Sequence, residues 1–155
     1  MPASWASSPT TRRVMQSNRN RDTRPELTLR RALHALGLRY RVCTRPLPTV
    51  RRTVDVVFRP VGVCVELRGC FWHGCDEHRR LPKTNKEYWS TKIQRNRERD
   101  LELERLLAAA GWILIVVWEH DDLKEAAQKI AQVVRGRRES LGLGRSVESS
   151  ADHCR

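Results

Sequence analysis

The sequence of 155 residues lacks any long hydrophobic run, and its N-terminus lacks an apolar segment. A helix that spans a membrane needs about 18 or more consecutive apolar residues. A secretory signal likewise needs an apolar stretch behind its first charges. We therefore expect a soluble, cytoplasmic protein without a membrane partner, and we exclude membrane-spanning proteins as its class.

Lysine and acidic residues are scarce at the start of the chain. Residues 1–60 hold 13 Arg, no Lys and only three acids, Asp22, Glu26 and Asp55, so +10 of the net charge of +12 lies there. A basic excess of this kind favours a polyanion, most simply nucleic acid, as the partner. An arginine-rich proteome is the alternative explanation, because only 5 of the 30 cations are Lys.

Cysteines are few and odd in number: Cys43, Cys64, Cys70, Cys75 and Cys154. An odd set in a chain without a secretory signal is typical of free thiols or metal ligands, not of a disulfide framework.

The length and a hydrophobic content of 39% predict one globular domain with a real core and exclude disorder of the whole chain. We expect a flexible basic arm over residues 1–22, a folded domain over 23–138 and a disordered tail over 139–155.

The spacing of apolar residues and turn signals predicts the order α-β-β-β-loop-α-β-α. The predicted strands cover residues 40–44, 53–58, 61–67 and 112–118. The predicted helices begin at capping signals and end near a glycine or alanine: Thr23 to Gly37, Thr84 to Ala110, and Asp122 to Gly136. The almost wholly apolar segment 112–118 is typical of a strand buried on both faces. The order predicts an α/β fold with a mixed sheet flanked by helices.

Asp55 interrupts an apolar strand, where a carboxylate is costly unless it is paired or binds a metal. On the next strand, Glu66 and Arg68 occupy alternate positions and so share a face. Two acids and a cation on neighbouring strands favour a Mg²⁺-dependent phosphodiesterase site, because carboxylates hold the ion that activates water. The alternative is a salt bridge between Asp55 and Arg68.

A loop dense in cysteine and histidine follows these strands. Cys70, Cys75 and His78 offer three metal ligands within nine residues, and His120, just after the apolar strand, is the obvious fourth. Four protein ligands are typical of a structural Zn²⁺ site, which would attach the loop to the strand end. His73 is a candidate general base or acid, or a zinc ligand in place of His78.

Two sets of residues near this loop are candidates for contact with DNA. Phe71 and Trp72 lie between the ligand candidates, where a rigid loop could present them to bases; alternatively, one of them belongs to the core. Lys92, Asn96 and Asp100 follow at helical spacing and form one stripe. The stripe either contacts DNA and orients His73 through Asp100, or is a solvated polar face.

At these residues the sequence resembles the very short patch repair (Vsr) family of mismatch endonucleases, zinc-containing relatives of the PD-(D/E)xK nucleases. The resemblance covers roughly residues 12–120. Its most specific motifs are GCFWHGCDEH at 69–78, NRERD at 96–100 and WEH at 118–120. It implies a restriction-endonuclease-like fold with a zinc loop.

The resemblance also implies roles for single residues. Asp55 would hold Mg²⁺ together with the backbone carbonyl of Leu67, and His73 would be the catalytic histidine, with Asp100 as its acidic partner. Glu26 would be a further active-site acid. The zinc ligands would be Cys70, Cys75, His78 and His120. The residues implied to contact DNA are Met15, Phe71 and Trp72, which would intercalate beside the mismatch, and Lys92 and Asn96, which would read it.

The activity implied is hydrolysis of the phosphodiester on the 5′ side of the thymine in a T:G mismatch of double-stranded DNA. We expect a nucleoid-associated monomer, linked functionally to a cytosine methyltransferase and repair proteins. Glu66 and Arg68 depart from the family pattern: either they strengthen the binding of metal or of DNA phosphate, or Arg68 occupies the site and slows it. The alternative functions are a zinc-containing DNA-binding module without catalysis and a restriction-type nuclease.

Overall fold

The computed structural model describes residues 8–10, 13, 21–78 and 80–143, and within 21–78 and 80–143 the chain forms three α-helices and four strands. The helices are α1 (Arg24–Ala35), α2 (Lys86–Ala109) and α3 (Leu123–Ser140), and the strands are β1 (Arg41–Thr44), β2 (Val54–Phe58), β3 (Val63–Arg68) and β4 (Ile113–Trp118). No helix among the described residues is long and apolar enough to cross a membrane. Most of the predicted arm, including Met15, and residues 144–155 of the predicted tail, including Cys154, lie outside the described residues. The first two residues of that predicted tail, 139 and 140, belong to α3, so the tail was predicted to begin too early.

The four strands form one mixed sheet in the order β1-β2-β3-β4. The pairs β1–β2 and β2–β3 are antiparallel, whereas β3 and β4 are parallel and are connected by α2. The predicted α/β class with a mixed sheet flanked by helices is therefore confirmed. The prediction of a fully buried last strand is wrong, because β4 is an edge strand and only Val117 within it is buried.

Two apolar clusters cover the two faces of the sheet. The larger cluster joins α1 and α3 to the sheet through side chains such as Leu33, Phe58 and Ile130, all at most 1% exposed. The smaller joins α2 to the other face through Val57 and Leu107. The fold is thus a helix–sheet–helix sandwich, and the functional side chains lie at the end of β3 and β4 where these clusters stop.

The ends of the helices differ in detail from the predicted ones. At α1, the Thr23 hydroxyl donates to Glu26 (3.0 Å) instead of capping the helix, and Glu26 accepts the N–H of Asp22 (2.9 Å). Helix α2 begins after Asn85, in the left-handed region at φ 57°, so Thr84 is not its cap. Asp122 caps α3 as predicted, but α3 continues through Gly136 to Ser140 because the substitution of one glycine for a better helix former costs only about 1 kcal/mol.

Candidate active site

The predicted zinc ligands come together at the end of the parallel strand pair. Arg68 and Trp118 are partners in the register of β3 and β4, so the loop after β3 and the turn after β4 start side by side. As a result, the ligand atoms of Cys70, Cys75, His78 and His120 all lie within 4.8 Å of one another. The distance from Cys70 Sγ to His120 Nδ1 is 3.0 Å, and that from Cys75 Sγ to His78 Nδ1 is 3.7 Å.

This donor set fits a tetrahedral metal ion. Zn²⁺ takes sulfur at about 2.3 Å and nitrogen at about 2.0–2.1 Å, which places the donors of one site roughly 3–4 Å apart. Both thiols are buried, and burial, with a hydrogen bond that the Cys70 thiol donates to Cys75, raises the pKa of Cys70 to about 12. A buried thiolate needs a positive charge beside it, which a bound metal ion would supply. His73 is outside the cluster.

The carboxylate of Asp55 on β2 and the backbone carbonyl of Leu67 on β3 form a second group of candidate metal ligands, with oxygen donors. Asp55 Oδ2 accepts the N–H of Leu67 at 2.7 Å, which brings the carboxylate beside the end of β3. Burial raises the pKa of Asp55 to about 6, against the opposing effect of that hydrogen bond. A carboxylate and a carbonyl are oxygen ligands of the kind that Mg²⁺ accepts, with water completing its shell.

The predicted third acid, Glu26, is buried at the start of α1. Its Oε2 accepts hydrogen bonds from the N–H of Asp22 at 2.9 Å and from Arg30 at 3.1 Å. Through these hydrogen bonds Glu26 stabilises the first turn of α1. It still borders the same cavity as Leu67.

His73 and Asp100 form a short hydrogen bond between the loop and α2. His73 Nδ1 lies 2.6 Å from Asp100 Oδ2. Burial works to raise the pKa of Asp100, but the hydrogen bonds from His73 and Arg52 outweigh it and lower the pKa below its ordinary value. Since Asp100 engages Nδ1, Nε2 is the ring nitrogen that can exchange a proton with a molecule in the cavity.

The predicted stripe on α2 faces the loop, so its interpretation as a solvated face is wrong. Asn96 Nδ2 donates to the carbonyl of Trp72 at 2.9 Å, and Asp100 meets His73. The Lys92 ammonium lies 5.3 Å from the ring centroid of Trp72, a cation–π distance. The stripe therefore fixes the loop from one side while the Cys/His cluster fixes it from the other.

Phe71 and Trp72 are half-buried and belong to neither apolar cluster. They touch each other edge to face at 5.1 Å between ring centroids, and both touch Trp89 of α2, at 5.3 and 5.9 Å. The pair packs against the buried ring of Trp89 and keeps part of its surface exposed to solvent.

Arg68 does not form the salt bridge with Asp55 that was the alternative interpretation, and it is too buried to offer its charge to DNA phosphate as predicted. Its guanidinium is buried beneath α2, where it donates to Glu66 Oε2 at 3.0 Å and to Glu104 Oε1 at 2.8 Å. Glu66 and Arg68 do share a face, as predicted, but Asp55 turns toward Leu67 instead. Arg68 therefore does not take the place of a cation beside Asp55.

An open cavity of about 1110 Å³ is bordered by Leu67 and His73, the hydrogen-bond partners of Asp55 and Asp100. Its wall includes Glu26, Leu67, Trp72, His73, Lys92 and Glu119. Acids, a histidine, a lysine and an aromatic ring in one concave surface form a site that can accept an anionic, base-bearing polymer.

Comparison with known proteins gives the family of this chain. A profile described as DNA mismatch endonuclease Vsr matches residues 6–79. The type II nicking enzyme V.NaeI of Lentzea aerocolonigenes is 44% identical over 124 residues, which are 79% of this chain and 75% of that protein. The chain belongs to the Vsr family of DNA endonucleases. The DNA mismatch endonuclease Vsr of Escherichia coli (strain K12) is 34% identical over 68% of this chain and 66% of its own length.

Other relatives of this Vsr-family endonuclease carry similar names. The type II nicking enzyme V.NmeDIP of Neisseria meningitidis serogroup C is 39% identical over 129 residues, 80% of this chain and 85% of that protein.

Two residues near the site of this Vsr-family endonuclease were missed by the sequence interpretation. Glu119 borders the cavity and accepts the N–H of Cys70 at 2.8 Å, which fixes the start of the loop. Arg52 donates to Asp100 Oδ1 at 2.7 Å. Glu119 lies inside the WEH motif and so had a signal, whereas Arg52 lies in an arginine-rich segment without periodicity and had none.

Proposed function

We propose that this Vsr-family protein is a Mg²⁺-dependent endonuclease that nicks double-stranded DNA on the 5′ side of the thymine in a T:G mismatch. The observation that carries the proposal is the single cavity bordered by Leu67, the hydrogen-bond partner of Asp55, and by His73, the partner of Asp100. A cation-holding acid and a proton-transferring histidine are the two parts that phosphodiester hydrolysis requires.

The side chains divide the chemistry as follows. Asp55 and the carbonyl of Leu67 would hold Mg²⁺, which when bound supplies positive charge to the scissile phosphate. His73 accepts or donates a proton at Nε2, and Asp100 fixes the ring by its contact with Nδ1. Glu26 holds the first turn of α1 at the border of the cavity.

Recognition of DNA falls to the aromatic pair and the stripe. Phe71 and Trp72 have exposed surface next to the cationic Lys92, which suits stacking against bases at a weakened pair. Asn96 holds the Trp72 carbonyl, so its part is to support this contact as well as to approach the mismatch. Met15 of the arm is proposed as a third wedge. We further propose that the protein is a monomer, acts at the nucleoid and cooperates with a cytosine methyltransferase and repair proteins.

The Cys/His cluster is proposed as a structural Zn²⁺ site. Four protein donors leave no position open for substrate, and the cluster holds the loop that carries His73 and the aromatic pair.

The alternative of a binding module without catalysis is disfavoured by Arg68. Its guanidinium is held by Glu66 and Glu104 beneath α2 and makes no ion pair with Asp55. A second candidate is a restriction-type nuclease that does not require a mismatch; the relatives named type II nicking enzymes are the observation that keeps it open, since those names mention nicking and no mismatch.

A strand-resolved cleavage assay tests the proposal. We expect a nick on the thymine strand of a T:G duplex when Mg²⁺ is added, and little cleavage of the C:G duplex of the same sequence. Equal nicking of both duplexes would favour the second candidate, and tight binding without a nick in varied sequence contexts would favour the module without catalysis.

A further inference from the structure

A buried charge cluster lies between β3 and α2, directly behind His73. It consists of Arg52, Glu66, Arg68, Asp100 and Glu104. Four of the five side chains are at most 31% exposed, and Asp100 and Glu66 are at 4% and 7%. Charges buried this deeply are costly unless each has a well-placed partner, so the pattern of partners decides how the cluster is arranged.

Arg52 bridges the two most buried acids. Its Nη2 donates to Glu66 Oε1 at 2.8 Å and to Asp100 Oδ1 at 2.7 Å. Without Arg52, the negative charges of Glu66 and Asp100 would repel each other with less positive charge nearby to balance them. Arg52 comes from the segment before β2, whereas Asp100 is on α2, so the bridge connects two distant parts of the chain.

The two oxygens of Asp100 are thereby assigned to different partners. Oδ1 receives Arg52, and Oδ2 receives His73 Nδ1 at 2.6 Å. Arg68 Nε also lies 3.7 Å from Oδ2, while it donates to Glu66 Oε2 at 3.1 Å. Arg68 is therefore a potential competitor of His73 for Asp100, and Glu66 keeps it occupied.

We infer that Arg52 is a positioning residue of the nicking reaction, which holds Asp100 in the rotamer that fixes His73. The inference rests on the proposed function and adds to it a residue that is not among those bordering the cavity of Leu67 and His73. Arg52 acts through Asp100, and Glu66 acts with it by holding both arginines in place.

The kinetic test compares Arg52→Met with Arg51→Met, an exposed arginine at the neighbouring position. We expect Arg52→Met to lower the single-turnover nicking rate on a T:G duplex by about tenfold to a hundredfold, as small misplacement of a catalytic group does. Affinity for the duplex, measured without Mg²⁺, should stay within about threefold because phosphate contacts supply most of it. Arg51→Met should keep the rate, and Arg52→Lys should restore part of it.

A spectroscopic test does not depend on activity. In ¹⁵N-histidine-labelled protein, with the His73 signals assigned by His73→Ala, the ring should show a proton held at Nδ1 by Asp100. Arg52→Met should change the ring signals of His73, and Arg51→Met should leave them unchanged. If Arg52→Met does not fold, Arg52→Lys and Glu66→Gln are compared by the same two measurements.

The outcomes separate this inference from the proposed function. A lower rate at unchanged affinity together with changed His73 signals supports it. An unchanged rate, or a lower rate with unchanged His73 signals, overturns it, and so does a fall in melting temperature with a normal rate per folded molecule. If His73→Ala and Asp100→Asn themselves nick at the normal rate, the proposed function fails instead.

Discussion

In the core between the sheet and helices α1 and α3, apolar side chains such as Leu33 and Ile130 are fully buried against one another. In the loop of residues 69–78, by contrast, the buried groups are two thiols, and the large side chains Phe71 and Trp72 are only half-buried. The core is stabilised by apolar burial. The loop is instead held by the Cys/His cluster and by hydrogen bonds to Glu119, Asn96 and Asp100.

This difference is consistent with the proposed function. An apolar core excludes water and cannot present polar groups to a substrate, because unpaired polar groups are costly there. A loop held by a metal and by hydrogen bonds can leave a histidine and aromatic rings at the surface without losing its shape. Damage to the two regions should therefore be distinguishable, by stability in one case and by activity in the other.

The largest expected effect comes from Asp55→Asn. Nicking should be abolished because the amide cannot replace the carboxylate as a Mg²⁺ ligand. The fold should not lose stability, since the amide oxygen can still accept the N–H of Leu67 and a buried charge is removed. Affinity for a T:G duplex should stay within about tenfold. Asp76→Asn, at an exposed acid, is the control, and normal turnover by Asp55→Asn would contradict the assignment.

The next largest effect is expected at the proposed Zn²⁺ site of the loop. Cys75→Ser should lose one Zn²⁺ per chain and much of the folding stability, because binding energy at such sites is largely folding energy. Cys43→Ser, at a half-buried thiol outside the cluster, should keep the metal. Metal analysis and melting curves measure both.

The histidines of the loop sharpen the same experiment. His78→Ala should lose Zn²⁺, whereas His73→Ala should keep it and lose nicking, since only His78 lies in the cluster. The reverse result would exchange their roles, and soluble, active protein without zinc would contradict the site.

Leu33→Ala tests the core side of the comparison. This side chain is 0% exposed, so the substitution should cost about 2–5 kcal/mol of unfolding free energy. The nicking rate per folded molecule should be unchanged. Leu141→Ala, at an exposed leucine, should have little effect on denaturant unfolding. A large loss of rate per folded molecule would mean that the core also sets the geometry of the site.

The last contrast comes from the replacement of both Phe71 and Trp72 by Ala, which should weaken binding far more than it weakens the fold. Stacking on bases contributes about 1–3 kcal/mol per aromatic side chain, so affinity for a T:G duplex should fall by roughly two to four decades. The melting temperature should shift only slightly, since neither ring is in an apolar cluster. A titration and a melting curve decide: a large fall in melting temperature at unchanged affinity would assign the pair to the core.

Much of the fold could be predicted because its patterns are local. The positions of the strands, of α1 and of the Asp122 cap follow from apolar spacing and from residues a few positions apart. The end of α3 was mistaken because a single glycine does not stop a helix that packs against a core through Ile130 and Val134. The exposure of β4 could not be predicted, since an apolar run does not reveal whether its strand lies at the edge.

The sequence by itself determined the chemistry available to this protein: two thiols and two histidines at metal-site spacing, an acid in an apolar strand, and a histidine among them. Only the tertiary structure decided the partners. Arg68 pairs with Glu66 and with Glu104, which lies 36 positions away in the sequence. Arg52 pairs with Asp100, which lies 48 positions away. Such long-range ion pairs leave no periodic pattern in the sequence, because they depend on which strand end and helix face come together when the core folds.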